Sequence, residues 1–408
     1  MKEKTFYDIH MHALNLSHPY LLALIQRLKI HRYLVLNSIF GPIASLLIGQ
    51  NLNKIKNLLA VMENDIGSFF LLMEDYLKRD GESPLLRDGK LHIGGNVYAK
   101  IVLTPLMMDF GYKDIKDNPN TYYNELSKKP IVEQVTDVFN GIKKYKNTRP
   151  DGMLEIYPFL GLNTKNYDMD RIKTMLDKYF GRYEGSREEF YKNMGEFDGD
   201  IEHLGDNSFA GIKVYPPLGF DPWPNDKEEL EKVKYLYTYC CRKGIPITAH
   251  GSEGGFVVVP KEEAKGYTSI SKWDNILKVE EYSKLKINLA HFPLREKVLG
   301  IVPKKKRLKQ ILNLVANHDN VYVDFSNRAV NDEYYVELKS LIDESSGQLK
   351  TKLKNRMLFG SDFTINLMAV RSYNEYLEIF SRNTILAPEE KDNFCCVNPE
   401  RFLFSKRG

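Results

Sequence analysis

The stretch FYDIHMH, residues 6–12, places polar residues at alternate positions close to the start of the chain. In an extended strand successive side chains point to opposite faces, so Asp8, His10 and His12 share one face, roughly 6.5 to 7 Å apart. Three polar groups on one face of an otherwise apolar strand require a partner. That partner is either solvent or a ligand such as a metal ion, and the rest of the sequence decides between them.

Eight short apolar runs rich in Val, Ile, Phe and Tyr are spaced along the chain, and helix-period segments follow most of them. The runs predict strands over residues 6–12, 98–106, 153–161, 209–217, 246–251, 287–292, 321–326 and 357–363. Helices are predicted over residues 130–146, 170–180, 227–243 and 332–344. Eight strands alternating with helices point to an α/β fold, a (β/α)8 TIM barrel rather than an open sheet.

A long interval separates the first two predicted strands and breaks this rhythm. It contains the apolar helical patterns LNKIKNLLAVMENDI (52–66) and SFFLLMEDYLKRD (68–80). The sequence therefore predicts one barrel domain over residues 1–408, with a helical insertion at about residues 14–95 that covers one mouth of the barrel.

Composition argues against nucleic-acid and membrane partners. The 408 residues are 43% hydrophobic and carry a net charge of +4, which is ordinary for a globular protein without a basic surface field. The run PKKKRLK (303–309) opens a helical pattern and is predicted to form a solvated helix face. The apolar segment 33–49 is broken by Asn, Ser, Gly and Pro and is shorter than the roughly 20 residues of a membrane span. We expect that segment to be a buried helix or a subunit contact of a homo-oligomer.

The four cysteines occur as two adjacent pairs, at positions 240–241 and 395–396. This spacing is not typical of a zinc ribbon or a disulfide framework. The first predicted strand begins where a secretory signal would need its apolar stretch. We therefore expect a protein of the reducing cytoplasm.

Polar residues recur where the predicted strands end. They are His10 and His12 on strand one, Lys213 on strand four, His250 on strand five, His291 on strand six and Asp362 on strand eight. Barrel enzymes carry their chemistry at the C-terminal ends of the strands, where distant parts of the sequence converge. Together these residues form a set of nitrogen and oxygen ligands suited to zinc or a similar divalent ion.

The ordered set HxH, GIKVYPP (211–217), ITAHG (247–251), NLAHFP (288–293) and LFGSD (358–362) resembles the amidohydrolase superfamily of metal-dependent hydrolases, whose members are (β/α)8 barrels. The resemblance implies that His10, His12, His250, His291 and Asp362 are metal ligands. Lys213 stands where some members have a carbamylated lysine that bridges two metals, whereas single-metal branches have no such bridge. The implied cofactor is one or two divalent ions, with zinc expected.

These residues imply a hydrolytic mechanism. A bound zinc ion lowers the pKa of its water from about 16 towards roughly 7, which makes hydroxide available at neutral pH. Asp362 is then expected to act as general acid and base. His291 is expected either to bind a second metal or to polarise the substrate carbonyl. Lys213 is either neutral and carbamylated, or cationic and paired with Asp8, Asp362 or a substrate carboxylate.

Substrate-binding residues are predicted just beyond the strands. Tyr215 should share the inward face of strand four with Lys213, and Glu253 follows strand five in HGSEGG. Arg295 follows strand six and suggests a small, anionic substrate, because guanidinium binds carboxylate bidentately. Asp324 and Asn327 lie near the end of strand seven and are further candidates.

We therefore expect a metal-dependent hydrolase of an amide, cyclic amide, lactone or ester bond. A metal-dependent decarboxylase or hydratase of the same superfamily is the alternative reading, since it would use the same ligands. A catalytically inactive barrel that acts as a binding protein is the second alternative.

Overall fold

The computed structural model describes residues 3–19, 24, 53–79, 85–111, 130–190, 197–294 and 305–404. The apolar segment 33–49, which we predicted to be a buried helix or a subunit contact, lies outside these residues, as does Arg295. In the part of the chain that is described, no helix is both long enough and apolar enough to cross a membrane.

The described residues form twelve strands, nine of which belong to the barrel. They are β1 (Thr5–Met11), β2 (Leu86–Arg87), β3 (Lys90–Ile93), β4 (Asn96–Tyr98), β5 (Lys100–Pro105), β6 (Leu154–Ile156), β7 (Phe159–Gly161), β8 (Gly211–Val214), β9 (Ile247–Ala249), β10 (Ile287–Leu289), β11 (Val321–Asp324) and β12 (Met357–Leu358). Each of the eight predicted strands is present, mostly shorter than predicted, which confirms the α/β barrel.

All barrel strands are parallel, and backbone hydrogen bonds close the ring. The order runs β1, β5, β6 and then β7 to β12. The third barrel position contains two short strands, because Pro158 between them has no N–H to donate to a neighbour. The first and last strands meet where the Ile9 N–H donates to the Phe359 carbonyl at 3.2 Å and the Asp362 N–H donates to the His10 carbonyl at 2.7 Å. All C-terminal strand ends therefore lie at one edge.

Helices follow the strands and cover the outside of the barrel. They are α1 (Ile66–Arg79), α2 (Ile131–Thr148), α3 (Met169–Phe180), α4 (Lys227–Lys243), α5 (Lys261–Tyr267), α6 (Ile270–Lys278), α7 (Lys305–Asn317), α8 (Asp332–Glu344), α9 (Gly347–Arg356), α10 (Tyr373–Arg382), α11 (Pro388–Asp392) and α12 (Asn398–Phe404), with a further helical stretch at residues 53–62. Local signals set the bounds of α4: the Asp226 carboxylate caps the Glu229 N–H, and Gly244 ends the helix in the left-handed region.

The layer between strands and helices is strongly aromatic on the side of β12. The Phe359 ring lies 4.9 Å from the rings of Phe6 and Phe380 and 5.6 Å from that of Phe325, all four being fully buried. Buried aromatic side chains contribute large apolar areas to the core, so this cluster holds the first and last strands together.

We had predicted a helical insertion between the first two barrel strands, but the described part of it also contains a sheet. Its described part contains residues 53–62 and α1, but also the antiparallel sheet β2, β3 and β4. Asp88 and Gly89 both have positive φ in the turn between β2 and β3, as a tight hairpin requires. Helix α1 packs closely on α2, since a Cβ added to Gly141 would lie 2.7 Å from Ile66 Cγ2.

The prediction that residues 303–309 form a solvated helix face is wrong for one residue of α7. The Arg307 guanidinium is not directed at solvent, because it donates to the carbonyls of Gly251 at 2.6 Å and Thr268 at 3.0 Å. Arg307 thereby anchors the loop that follows β9.

Candidate metal centre

The six strand-end residues selected from the sequence lie together at the C-terminal edge of the barrel. His10 lies in β1, His12 just after it, Lys213 in β8, His250 after β9, His291 after β10 and Asp362 after β12. None of them is more than 6% exposed. The tightest group is His10, His291 and Asp362, with one ligand atom from each within 4.8 Å of the other two.

His250 and His291 face each other across the centre. His250 Nε2 lies 2.8 Å from the Gly254 carbonyl oxygen, and His291 Nδ1 lies 3.0 Å from that of Ser326. A carbonyl only accepts, so these two nitrogens carry the protons. The opposite nitrogens, Nδ1 of His250 and Nε2 of His291, lie 3.2 Å apart. Burial holds the pKa of His250 well below its usual range and lowers the pKa of His291 to about 3. Both rings are therefore neutral, and two lone pairs face each other.

His10 is oriented by the carboxylate of Asp324. Its Nδ1–H donates to Asp324 Oδ2 at 3.0 Å, and burial lowers the pKa of the ring. The remaining nitrogen, Nε2, is buried without a hydrogen-bond partner among the described residues and lies 3.5 Å from Asp362 Oδ1. A carboxylate behind a histidine fixes the tautomer and is typical of metal ligands.

Ser326 links the two histidines to the same carboxylate. Its hydroxyl oxygen lies 3.0 Å from Nδ1 of His10 and 3.0 Å from Nδ1 of His291, and its proton is donated to Asp324 Oδ1 at 2.5 Å. Because the hydroxyl donates to the carboxylate, its lone pairs are directed at the two imidazole N–H groups. One side chain therefore holds two rings in the same tautomer.

Asp324 is the hub of this network. Its Oδ1 accepts the N–H of His291 at 3.1 Å and that of Ser326 at 3.1 Å, while Oδ2 accepts from the Asn288 amide at 2.7 Å. Burial alone would raise the pKa of Asp324, but the adjacent His10 ring and these donors hold it below its usual range. The carboxylate is therefore ionised.

His12 and Asp362 complete the group of acceptors. His12 Nδ1 lies 2.9 Å from the Leu106 carbonyl oxygen, so in the neutral ring Nε2 is the acceptor, and it lies 3.2 Å from Asp362 Oδ1. Burial opposes ionisation of Asp362, but contact with His12 and the neighbouring histidines holds its pKa below the usual range. The Asp362 carboxylate is thus negatively charged and lies beside the lone pairs of the histidine nitrogens.

Lys213 is the one cation that the described residues place in this cluster. Its side chain is 1% exposed, and Nζ has no hydrogen-bond partner within the described chain. Burial lowers its pKa to about 8, against the attraction of Asp324 and Asp362. The Tyr215 ring lies 5.6 Å from Nζ. Asp8, an alternative partner considered from the sequence, instead accepts the Ser361 N–H at 2.9 Å.

Three successive strand ends carry a non-glycine residue in the left-handed region. The φ angles are +63° at His291, +56° at Asn327 and +59° at Asp362. L-residues rarely adopt this conformation, and such residues cluster at binding and catalytic sites. Here the turn that each produces brings its side chain to the wall of one cavity.

This cavity, of about 270 Å³, opens beside the histidines. Its lining includes four residues of the cluster together with Tyr215, Ser252, Gly254, Gly255, Phe256, Asn327, Arg328 and Ile365. The Tyr215 ring stacks on His250 at 4.0 Å, and its hydroxyl accepts the Phe256 N–H at 3.1 Å. Tyr215 therefore lies between His250 and the Lys213 side chain and supports one cavity wall.

Of the other predicted substrate-binding residues, Glu253 is half-buried near Arg307 and is not among the residues that line the cavity. Arg295 falls outside the described residues. His18, a buried histidine beyond β1 that is not part of the cluster, pairs with Asp137 at 2.9 Å. In contrast, Ser326 and Arg328 were not selected from the sequence. Their signal was their position in VDFSNR (323–328), directly after a predicted strand.

A model of the Amidohydrolase family matches residues 195–404, just over half of the chain. The chain belongs to the amidohydrolase family. That family is metal-dependent, in agreement with the buried acceptor cluster of this amidohydrolase. None of the curated proteins matches the sequence.

Solved structures with low sequence identity are similar to this amidohydrolase along nearly its whole length. One is 5-carboxyvanillate decarboxylase from Novosphingobium aromaticivorans with manganese and a nitrobenzoic acid, at 11% identity, covering 98% of this chain and 96% of that one, with a TM-score of 0.46. A probable 2-pyrone-4,6-dicarboxylic acid hydrolase from Acinetobacter baumannii with bound citric acid has 11% identity, 98% coverage of both chains and a TM-score of 0.45. 4-Oxalomesaconate hydratase from Rhodopseudomonas palustris has 15% identity, covers 98% and 95%, and scores 0.42.

Proposed function

We propose that this amidohydrolase is a metal-dependent hydrolase that cleaves an amide, cyclic amide, lactone or ester bond of a small molecule. The observation that carries the proposal is the 3.2 Å contact between the two acceptor nitrogens of His250 and His291. Two lone pairs repel each other at this distance unless a cation lies beside both. The residues that would hold the ion are His10, His12, His250, His291 and Asp362.

The donor atoms of these residues are of the type and spacing that a metal ion requires. Nitrogens bound to one zinc ion at about 2.1 Å lie about 3.0–3.4 Å apart, which matches the pair of histidines. The unpartnered Nε2 of His10 adds a third neutral ligand, and the Asp362 carboxylate adds charge compensation. A mixed imidazole and carboxylate set suits zinc, and it also suits the manganese that the decarboxylase structure contains.

A second ion would require Lys213 as a bridge. Carbamylation needs a neutral amine, and the lowered pKa of Lys213, about 8, leaves about a tenth of the amine neutral at pH 7. We therefore propose one or two ions, with the count depending on this modification.

Asp362 is the residue that we assign to proton transfer. A bound divalent ion supplies Lewis acidity and makes hydroxide available near neutral pH. Asp362 Oδ1 faces the nitrogens of His10 and His12, so Oδ2 is the atom proposed to accept the proton of the attacking water and to return it to the leaving group. His291, held in place by Ser326, is proposed to bind the metal or to polarise the substrate carbonyl.

A decarboxylase or hydratase is the second candidate, because it would use the same ligands. Arg328 in the cavity wall supports this second candidate, because guanidinium is a good partner for the carboxylate of a decarboxylase or hydratase substrate. An inactive binding protein is less well supported, because every ligand-type residue selected from the sequence reaches the cluster. Four unpaired cysteines agree with a reducing compartment such as the cytoplasm.

The test is metal content per chain in protein purified without added metal or chelator. We expect one or two zinc or manganese ions, lost in a His10→Ala, His12→Ala double variant and retained in His18→Ala, a buried histidine outside the cluster. Product analysis with esters, lactones, cyclic amides and aromatic carboxylic acids then separates hydrolysis from carbon dioxide release and from hydration. A native protein that holds no ion and takes up none from zinc or manganese would refute the proposal.

A further inference from the structure

Asp8 is a buried carboxylate that the proposed chemistry does not use. Its side chain is fully buried in β1, two positions before His10, and its Oδ2 has no hydrogen-bond partner within the described chain. Burying a carboxylate lowers stability unless hydrogen bonds compensate for the lost hydration. Here the compensating hydrogen bonds are those of Oδ1.

The Oδ1 atom of Asp8 joins two segments that carry proposed metal ligands. It accepts the His10 N–H at 3.3 Å and the Ser361 N–H at 2.9 Å. His10 is itself a proposed ligand, and Ser361 directly precedes Asp362. One oxygen atom therefore ties the end of the last barrel strand to the first strand, although Asp8 and Ser361 are 353 positions apart in sequence.

The contact between β1 and the end of β12 is otherwise short. Strand β12 contains two residues and forms its ladder with β11, on its other side. In the described chain, three single backbone hydrogen bonds join residues 359–363 to residues 9–12. The Ser361 N–H is bonded to no backbone carbonyl of the described residues, and the Asp8 carboxylate accepts it instead. Asp8 therefore supplies a fourth hydrogen bond to a contact that has little other support.

The register of this contact decides which side chain faces the histidines. A slip of one position would bring Ser361 or Phe363 to the place of Asp362, because each residue of a strand is aligned with one residue of its neighbour. In the observed register Asp362 Oδ1 lies 3.5 Å from Nε2 of His10 and 3.2 Å from Nε2 of His12. The hydrogen bond from Ser361 to Asp8 favours this register over its neighbours.

Gly360 lets the two segments approach closely enough for this hydrogen bond. A Cβ added to Gly360 would lie 2.7 Å from His10 Cβ and 3.2 Å from Ser326 Cβ, so a side chain at this position would push the backbone away from β1. Without one, the N–H of the next residue, Ser361, reaches the Asp8 carboxylate. Gly360 therefore permits the close approach, and Asp8 fixes the register.

We infer that Asp8 is a positioning residue, whose carboxylate sets the register between β1 and the end of β12 so that Asp362 faces His10 and His12. The inference rests on the proposed function, in which these three residues are metal ligands and Asp362 transfers the proton. Asp8 is not among the residues that line the cavity, and it acts through the backbone of Ser361. Of the three polar residues at alternate positions in the first strand, two are proposed ligands and the first positions another ligand.

Two variants of Asp8 separate its hydrogen bonds from its charge. Asp8→Asn keeps an oxygen that accepts from both Ser361 and His10. In Asp8→Thr the oxygen lies one bond closer to β1, so it can accept the nearby His10 N–H but does not reach Ser361.

Zinc affinity, measured by competition with a chelating dye, and the visible absorption spectrum of the cobalt-loaded protein test the two variants. The cobalt spectrum reports the arrangement of ligands around the ion, which a general loss of stability does not change. We expect Asp8→Thr to lower zinc affinity about tenfold or more and to alter the cobalt spectrum. Asp8→Asn should retain the native spectrum and a zinc affinity within about threefold of the native value.

The matched control is Asn398→Ala, at the opposite end of the same strand. The buried Asn398 amide donates to the Met357 carbonyl at 2.9 Å, so its loss weakens the support of β12 away from the metal centre. This variant should have a lower melting temperature but the native zinc affinity and cobalt spectrum. Melting temperature is measured for every variant, and Asp8→Ser replaces Asp8→Thr if the latter does not fold.

Native affinity and spectrum in Asp8→Thr would overturn the inference. Equal losses in Asp8→Asn would overturn it as well, because they would indicate a role of the charge, and equal losses in Asn398→Ala would indicate general destabilisation. A native protein that takes up neither zinc nor cobalt would instead refute the proposed function, so the two failures are distinguishable.

Discussion

The Asp324 carboxylate binds the His10 ring 314 positions away in sequence, with Oδ2 3.0 Å from Nδ1. We predict that Asp324→Asn lowers zinc affinity by about 10- to 100-fold, because an amide no longer enforces the tautomer that directs Nε2 inward. Competition with a chelating dye measures the affinity. Asp319→Asn, at an exposed carboxylate paired with Lys352, is the matched control. An unchanged zinc affinity in Asp324→Asn would refute the orienting role of Asp324.

Ser326→Ala should also weaken metal binding, since its hydroxyl supports both His10 and His291. The Ser326 backbone carbonyl still accepts from His291 in this variant, so we expect a smaller loss, within about tenfold. The same dye titration applies, with Ser361→Ala, a buried serine bonded to the Phe363 N–H, as comparison. Equal losses in the two serine variants would indicate general destabilisation rather than support of the rings.

Lys213→Met should stabilise the metal-free protein. The native pKa of about 8 lies below the ordinary 10.5, so the native state binds fewer protons than the unfolded chain between these values. The free energy of unfolding therefore rises with pH across this window. Below pH 8 the buried Lys213 cation lowers it by the full amount. We expect Lys213→Met to gain about 1 to 3 kcal/mol at pH 7 in urea unfolding. Lys234→Met, at a partly exposed lysine paired with Glu231, should change little, and a loss in Lys213→Met would contradict the prediction.

Acid should destabilise the metal-free protein through its neutral histidines. Burial lowers the pKa of His291 from 6.5 to about 3, so between these values the unfolded chain binds a proton that the native chain excludes. Stability therefore falls as pH falls through this window, by up to about 1.4 kcal/mol per pH unit for each such histidine. Melting temperatures from pH 7.5 to 4.5 measure this slope. His291→Asn should flatten it, while the exposed-site variant His203→Asn should not. A slope unchanged in His291→Asn would count against the assignment.

Two glycine substitutions should have opposite effects on stability. Gly141→Ala introduces a Cβ 2.7 Å from Ile66 in the contact between α1 and α2, which we expect to cost about 1 to 3 kcal/mol. Gly266→Ala, in α5, meets no atom within 4 Å and should gain about 0.4 to 1 kcal/mol. Urea unfolding of both variants measures the difference. A stabilised Gly141→Ala variant would mean that the two helices separate at little cost.

Local patterns account for what the sequence predicted well. Period-two alternation and strand-end position are properties of a few neighbouring residues, which is why the eight strands and the cluster from His10 to Asp362 were predictable. The role of Asp324 was not, because it depends on a contact between β11 and β1 that only closure of the barrel creates. The sheet β2 to β4 was missed because strands of two to four residues contain too little alternation.

Loop residues were the least predictable. Glu253 was chosen for its glycine neighbours, yet the loop is anchored by Arg307 from a helix that begins more than fifty positions later. Arg328 was missed because the left-handed turn at Asn327 decides where it lies, and one sequence does not reveal that turn.

The hydrogen bond from the Asp362 N–H to the His10 carbonyl joins the first and last strands of the barrel at the metal centre itself. During synthesis on the ribosome, the histidines of β1 emerge first, but Asp362 follows only after seven further barrel positions have been made. A nascent chain therefore cannot present the full ligand set to an ion until nearly all of the protein has been translated. The proposed ligand set is consequently complete only when the ring of strands closes.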